Sequence, residues 1–216
     1  MGISTCNPPR LAERKVKIET EALFSIPMGY TTIPSEICNV FNTLKGREQT
    51  HGRTDMFNVL DEHPKIKSYI TDVFTLWVNT IWGLKDQKWA MTTSWVTLNP
   101  DGSQMGMHRH FNCAYSGVLY FDKVDATHPP LEFLNPLKCL DGSFLVHTPA
   151  EKSNIFNRVG AFAPISEGQM IFFPSYILHS HPSFKPTDIV RKSFACNFFP
   201  IGKYGLLDST VDTRCL

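Results

Sequence analysis

The sequence has no excess of charge of either sign. Its 21 Lys and Arg residues are balanced by 20 Asp and Glu residues, which leaves a formal net charge of +1 at pH 7. Domains that bind nucleic acid or an anionic membrane surface carry a clustered basic excess, because their partners are polyanions. The even balance argues against both kinds of partner, so we expect the function to reside in a specific site.

The sequence also lacks long apolar runs and closely paired cysteines. No stretch approaches the roughly 20 apolar residues that span a bilayer, and the segment from Met1 to Cys6 lacks the apolar region of a secretory signal. The six cysteines are scattered without a Cys-x-x-Cys pair, which is typical of reduced, buried thiols. These absences predict a cytoplasmic protein with no membrane segment.

What the chain does contain is an apolar fraction of 42% and an aromatic fraction of 12% in 216 residues. A chain of this length and composition can bury a core without disulfides or partners. We therefore expect one domain over residues 1–216. Its expected parts are an N-terminal arm (1–22), a helical support (23–88), a β-rich core (89–200) and a C-terminal tail (201–216).

Helices are predicted in the first part and strands in the second. Apolar residues recur at three- and four-residue spacings over residues 34–45 and 64–82, with a proline in the opening turn and a glycine just past the end. A short strand is expected before them at Leu23–Ile26. After Trp89 the pattern changes to short β-rich runs separated by Pro, Gly, Asn and Asp, which is typical of a barrel or sandwich. The predicted strands are Met91–Leu98, Met105–His110, Tyr115–Phe121, Leu131–Leu134, Phe144–Val146, Gln169–Phe173, Tyr176–His181 and Ile189–Phe199.

The histidines indicate a metal site. If Met105–His110 is extended, His108 and His110 lie two residues apart on one face, so both imidazoles can reach the same ion. His179 completes such a site if the chain folds back on itself. Two His ligands and one further ligand on one face of a non-haem iron leave the opposite positions open for a co-substrate and dioxygen.

A fixed cation follows the third histidine. Arg191 and Ser193 share one face of the last strong strand, and a guanidinium beside a hydroxyl is suited to binding a carboxylate. Asn197 has the same strand parity and is expected on the same wall. The opposite parity, which includes Phe194 and Phe198, is apolar and is expected to pack against the helices.

Several blocks of residues occur in an order that is shared with a known family. They are Ser94-Trp95, His108-Arg109-His110, Ser116 to Tyr120, Phe133 to Pro136, Phe172 to Ser175 with His179, and Arg191 to Ser193 continuing to Phe198. In these blocks the chain resembles the 2-oxoglutarate- and Fe(II)-dependent oxygenases, and within them a bacterial and phage group related to prolyl hydroxylases. The resemblance implies a double-stranded β-helix (jelly-roll, cupin-like fold) and a hydroxylase that uses Fe(II), 2-oxoglutarate and dioxygen and releases succinate and CO2.

The resemblance also assigns roles to residues. It makes His108 and His179 iron ligands, Arg191 and Ser193 the clamp on the distal carboxylate of 2-oxoglutarate, and Tyr120 a further donor to that carboxylate. His110 stands where most of the superfamily has Asp or Glu. A three-histidine site is chemically tolerable, and Asp122 and Glu132 remain alternative sources of a carboxylate ligand.

Further residues and functions stay open at this point. Asn112 and Tyr115 are candidates for the substrate mouth, although strand packing explains them equally well, and His181 shares the strand face of His179.

A three-His cupin-like dioxygenase or isomerase that does not use 2-oxoglutarate is one rival function, and Arg191 with Ser193 argues against it. A catalytically inactive barrel that binds a partner is another. We expect a small molecule or a protein side chain as the substrate; the sequence does not specify which.

Overall fold

The computed structural model describes residues 25–44, 47–48, 57–136, 152, 154–155 and 158–215. Helices and strands follow one another in the order expected from the sequence, with helices before the main run of strands. The elements are β1 (Gly29–Thr32), α1 (Ser35–Phe41), β2 (Arg47–Glu48), α2 (Pro64–Trp82), β3 (Lys88–Asn99), β4 (Met105–His108), β5 (Tyr115–Tyr120), β6 (Leu131–Leu134), β7 (Gly160–Ala163), β8 (Gln169–Pro174), β9 (His179–His181), β10 (Arg191–Ile201), β11 (Lys203–Tyr204) and β12 (Val211–Asp212).

The strands form two main sheets. Within the described residues, one sheet has six strands in the order β1-β8-β5-β10-β3-β2, and the other has four in the order β4-β9-β6-β7. Every pair in them is antiparallel except β2 with β3. Strands that are adjacent in a sheet are far apart in sequence, as in β10 between β5 and β3. The fold is mainly β with N-terminal helices, as predicted, and the two sheets form a double-stranded β-helix.

The core has two layers that meet at the six-stranded sheet. On one face of this sheet, Phe194, Cys196 and Phe198 of β10 are completely buried in a cluster that includes residues of α2. On the other face, Ala195 of β10 packs in a second cluster with residues of the four-stranded sheet, such as Phe133. Alternate residues of β10 thus serve the two layers, as the strand parity predicts.

Helix α2 has the bounds that the sequence predicts. Pro64 begins it, and Gly83 ends it in the left-handed conformation with φ of 61°. Its buried stripe is centred on Ile70, Phe74 and Val78, and the Phe74 ring stacks on Phe198 of β10 with 3.9 Å between ring centroids. The helix therefore braces the strand that carries Arg191.

Several elements differ from the sequence prediction. The strand expected at Leu23–Ile26 is instead β1 at Gly29–Thr32; Ser25 and Ile26 are outside any strand, and Leu23 lies outside the described residues. Helix α1 ends at Phe41 and not at Lys45. Strand β7 was not predicted. The strand expected at Phe144–Val146 lies outside the described residues.

Strand bounds near the histidines also differ. Strand β4 ends at His108, so His110 lies beyond the regular strand, and the β4–β9 pairing is irregular between Met105 and His108. Strand β9 covers only His179–His181, because Ile177 takes part in a turn after Pro174.

In the part of the chain that the structure describes, no helix is both long and apolar enough to cross a bilayer.

Candidate active site

Three histidines meet between the two sheets. His108 and His179 are direct partners across the β4–β9 pair, and His110 follows two residues after the end of β4. The ring centroids are 4.3 Å apart for His108 and His179, 5.0 Å for His110 and His179, and 5.3 Å for His108 and His110. A ring nitrogen of each lies within 4.8 Å of the others. This spacing allows all three to contact one ion.

Each of the three imidazoles is held through its Nδ1 atom. Nδ1 of His108 donates to the carbonyl oxygen of Gly106 at 2.8 Å, and Nδ1 of His179 donates to that of Ile177 at 2.9 Å. A carbonyl oxygen only accepts, so Nδ1 must carry the hydrogen in both rings, which leaves the Nε2 lone pair free. Hydrogen bonds of this kind fix the tautomer and orientation of metal-binding histidines.

The third imidazole is held by Asn197. Nδ1 of His110 donates to Oδ1 of Asn197 at 2.7 Å. The amide cannot turn over without loss, because its Nδ2 donates to the Thr93 hydroxyl at 2.8 Å and Ser116 donates to the same Oδ1 at 2.8 Å. Oδ1 is therefore the acceptor, and His110 also presents Nε2. Asn197 lies on the same strand face as Arg191, as the sequence predicts, and its side chain contacts His110.

Burial favours the neutral form of two of these rings, those of His110 and His179. Burial, followed by the electrostatic effect of the nearby His108, lowers the pKa of His179 to about 3. Burial also lowers the pKa of His110, against the opposing effect of its hydrogen bond to Asn197. A neutral imidazole is the form that binds a metal. The three residues thus fit a divalent transition metal in donor type and tautomer, and His110 and His179 also fit it in protonation state.

The two alternative carboxylates lie elsewhere. Asp122 forms an ion pair with Lys192, with 2.5 Å between Oδ2 and Nζ. Glu132 accepts a hydrogen bond from the Ser180 hydroxyl at 3.2 Å. Neither lines the histidine cavity. Among the described residues, the histidine cluster contains no carboxylate.

A buried arginine lies in the same cavity. Arg191 is only 3% exposed, and its Nη2 donates to the Tyr120 hydroxyl at 3.1 Å. None of the described carboxylates forms an ion pair with it. A buried charge without an opposite charge is costly, so Arg191 is suited to an anionic ligand. Ser193 follows on the same wall.

Tyr120 supplies a second donor beside Arg191. It is fully buried, and burial raises the pKa of its phenol although Arg191 opposes that effect. The phenol therefore keeps its hydrogen, and its oxygen already accepts from Arg191. The O–H remains free to donate to a carboxylate held by the same guanidinium.

One cavity, with a volume of about 780 Å³, contains both the three histidines and the Arg191 guanidinium. It is lined by the three histidines, Arg191, Ser193, Tyr120, Asn197 and His181, with Trp95, Phe57 and Phe111 among its aromatic residues. A metal ion and a small dicarboxylate can therefore occupy one connected space. Within it, a positive metal and a positive guanidinium favour a ligand with negative charge at two ends.

Two residues considered for the substrate mouth do not line this cavity. Tyr115 is 8% exposed and packs on the helix side of its sheet against Phe74, where it receives a hydrogen bond from the Trp82 indole. Asn112 is an exposed residue with φ of 59°, in the loop between β4 and β5. Asn112 tolerates this left-handed backbone conformation better than most residues, which gives it a structural role.

The sequence reasoning did not assign a role to His181. This residue is 1% exposed, lines the cavity and is not part of the three-histidine cluster. Burial, followed by the charge of Arg191, lowers its pKa to about 4. The only sequence signal for it was its two-residue spacing from His179.

Comparison with known proteins agrees with this geometry. Residues 93–197 match the family model described as "Putative 2OG-Fe(II) oxygenase". This segment contains all three histidines, Tyr120, Arg191, Ser193 and Asn197. No curated protein matches the sequence.

Solved structures with the same fold include three oxygenases. The viral collagen prolyl hydroxylase of Paramecium Bursaria Chlorella virus-1, in complex with 2-oxoglutarate, is 12% identical over 79% of this chain and 94% of its own, with a TM-score of 0.52. HygX from Streptomyces hygroscopicus, with nickel and 2-oxoglutarate bound, is 9% identical over 81% and 83%, with a TM-score of 0.51. A Pseudomonas putida prolyl-4-hydroxylase is 14% identical over 82% and 95%, with a TM-score of 0.50. At this identity the likeness shows the fold, and within residues 93–197 the chain resembles the 2OG-Fe(II) oxygenases.

Proposed function

We propose that the protein is an Fe(II)- and 2-oxoglutarate-dependent dioxygenase that hydroxylates a C–H bond of its substrate and releases succinate and CO2. The observation that carries this proposal is one cavity that holds three imidazoles with free Nε2 atoms and a buried arginine with no carboxylate partner among the described residues. The first group fits a metal, and the second fits the far end of a dicarboxylate.

In this proposal His108, His110 and His179 hold Fe(II) through Nε2. Fe(II), when bound with 2-oxoglutarate and dioxygen, supplies the oxidising chemistry that the protein's own side chains lack. The side chains hold the metal, orient the co-substrate and exclude bulk water. Asn197 contributes by keeping the Nδ1 hydrogen of His110 in place, at 2.7 Å.

Arg191, Tyr120 and Ser193 bind the distal carboxylate of 2-oxoglutarate. Arg191 provides charge and directed N–H groups, and Tyr120 and Ser193 provide hydroxyl donors. Three neutral imidazoles leave the metal its full charge of +2, which the dianion of 2-oxoglutarate balances. The lack of a carboxylate ligand is therefore compatible with this co-substrate.

A three-His cupin-like dioxygenase or isomerase is the nearest alternative. It uses the same metal ligands but has no need of a buried guanidinium in the same cavity. Arg191, at 3% exposure, is difficult to explain in such an enzyme. An inactive barrel has no need of three histidines held with their Nε2 atoms free, so it is the weaker alternative.

We propose an uncharged group of a small molecule or a protein side chain as the substrate. The wall formed by Phe57, Trp95 and Phe111 supports an apolar contact near the histidines.

We also propose a cytoplasmic location. The free thiols of Cys38 and Cys196, which are buried, support it, because a reducing compartment maintains both thiols and Fe(II).

The test is binding of 2-oxoglutarate to the protein with and without metal under anaerobic conditions, measured by calorimetry. We expect tight binding to the Fe(II)-loaded protein and much weaker binding to the metal-free protein, because the metal and Arg191 hold opposite ends. Metal binding without any 2-oxoglutarate binding would favour the three-His cupin alternative. Failure to bind metal would favour the inactive barrel.

A further inference from the structure

Three buried polar atoms in the described part of the chain have no hydrogen-bond partner. They are Oδ1 of Asn99, Nε2 of His181 and Nε of Arg191. Asn99 and Arg191 face each other across β3 and β10, and His181 and Arg191 line the same cavity. Unpartnered buried atoms are costly and rare, so their concentration around Arg191 needs a functional explanation.

These atoms are one donor and two acceptors. Nε of Arg191 carries a hydrogen and can only donate. Nδ1 of His181 lies 3.0 Å from the carbonyl oxygen of Pro182, which can only accept. Nδ1 therefore carries the hydrogen, and Nε2 has the lone pair. A second proton on His181 would place two buried positive charges side by side, which favours the neutral ring.

A carboxylate cannot satisfy His181. The carboxylates of 2-oxoglutarate bring only acceptors, and Nε2 of His181 is itself an acceptor. A donor already in the pocket can supply the missing hydrogen, and Arg191 has an unused one. Asn99 also offers an acceptor, but its Nδ2 donates to the backbone of Ser103 at 2.8 Å, and its side chain does not line the cavity.

We propose, resting on the function proposed above, that His181 is a positioning residue whose Nε2 accepts the Nε hydrogen of Arg191 when 2-oxoglutarate is bound. Tyr120 already holds Nη2 of the same guanidinium at 3.1 Å. Two anchors on different nitrogens fix the plane of the guanidinium and direct its remaining N–H groups at the carboxylate. The rigidity of the clamp then depends on β9 as well as on β10.

The experiment compares His181→Phe and His181→Gln with the wild-type protein. Phenylalanine keeps a planar ring but removes the acceptor, and glutamine restores an acceptor oxygen. We expect His181→Phe to raise the dissociation constant of 2-oxoglutarate for the Co(II)-loaded protein about ten-fold or more, as for loss of a hydrogen bond to a charged group. His181→Gln should recover most of this loss. Metal content should equal that of the wild type in both variants.

A kinetic readout separates positioning from general damage. His181→Phe should raise KM for 2-oxoglutarate and leave kcat at saturating 2-oxoglutarate within about two-fold, whereas a distorted metal site would lower kcat. Two further variants are needed. Asn99→Ala tests the alternative acceptor, and Arg191→Ala tests the carboxylate clamp itself. If His181→Phe has no effect while Asn99→Ala weakens binding, Asn99 is the acceptor and our proposal is wrong. If Arg191→Ala itself leaves the affinity unchanged, the proposed carboxylate clamp fails, and the role of His181 fails with it.

Discussion

At the scale of single residues, the site depends on which nitrogen of each histidine carries the hydrogen. Carbonyl oxygens determine this for His108 and His179, and the amide oxygen of Asn197 determines it for His110. The sequence placed these histidines in one site, but it gave no information on their tautomers. Those depend on backbone atoms and on a side chain 87 residues away.

His110 allows the metal site to be tested directly. His110→Asp replaces one neutral ligand with a carboxylate, the usual third ligand in such sites, and we expect it to retain iron. His110→Ala should bind iron poorly because only two ligands remain. Metal analysis of the purified variants gives the answer. Wild-type iron content and turnover in His110→Ala would show that His110 is not a ligand.

We expect different effects on iron binding from replacing the two histidines of β9. His179→Ala should lose iron, because it removes one of the three ligands. His181→Ala should keep iron, because His181 is outside the three-histidine cluster. The two variants are matched in residue type, strand and burial, so metal content distinguishes them. Loss of iron only in His181→Ala would mean that the ligand on β9 is misassigned.

The role of Arg191 can be tested with the adjacent residue Lys192 as the control. Arg191→Ala should weaken 2-oxoglutarate binding by roughly 2–5 kcal/mol, the range for removing a buried charged partner, without loss of metal. Lys192→Ala is the control, because Lys192 pairs with Asp122 away from the cavity. Titration of both Co(II)-loaded variants with 2-oxoglutarate measures the difference. Equal affinities would contradict the assignment of Arg191.

Tyr115 shows what strand parity can decide. Tyr115 and Tyr120 lie five residues apart on β5, so a regular strand must direct them to opposite faces. Tyr120 faces the cavity and Tyr115 packs against α2. Parity alone would therefore have excluded Tyr115 once Tyr120 was assigned to the site. The burial of His181, in contrast, depends on how two distant strands pair.

At the scale of elements, α2 stabilises the strand that carries the carboxylate clamp. Phe74 is completely buried and stacks on Phe198 of β10. Phe74→Ala should lower the free energy of unfolding by about 3–5 kcal/mol through lost burial and a new cavity. Leu76→Ala on the same helix is the control, because Leu76 is 72% exposed. Urea denaturation of both variants tests this, and equal losses would contradict the packing.

Elements with a strong apolar period were predictable, whereas those defined by contacts were not. Helix α2 and strand β10 carry clear patterns and were predicted closely. Strand β1 was not, because Gly-Tyr-Thr-Thr is only four residues long and has no alternation of apolar and polar residues. A Cβ atom at Gly29 would lie 2.6 Å from the Trp77 indole, so the glycine is explained by a tertiary contact with α2. Such a contact cannot be read from local sequence.

At the scale of the whole molecule, the buried histidines link stability to pH. The pKa values of His179 and His181 are lowered to about 3 and about 4, below the value near 6.5 expected in the unfolded chain. Below about pH 6.5 the unfolded chain binds protons that the folded protein does not. The metal-free protein should therefore lose roughly 1.4 kcal/mol of stability per pH unit for each histidine as the pH falls toward 4.

His181→Gln should reduce this pH dependence by the contribution of one histidine, since glutamine does not titrate. Denaturation of the metal-free wild type and variant at pH 7 and pH 5 measures the two slopes. Identical slopes would show that His181 does not remain neutral in the folded protein. His110, whose pKa is also lowered by burial, contributes in the same direction to both proteins.

The measurement that tests the central claim most directly is succinate formation from 2-oxoglutarate by the aerobic, Fe(II)-loaded protein. We expect succinate to accumulate in the wild type, to require both Fe(II) and dioxygen, and to fall to background in His179→Ala. Arg191→Ala should need a higher 2-oxoglutarate concentration for the same rate. Absence of succinate in the presence of oxygen, from wild-type protein that binds both Fe(II) and 2-oxoglutarate, would contradict the account.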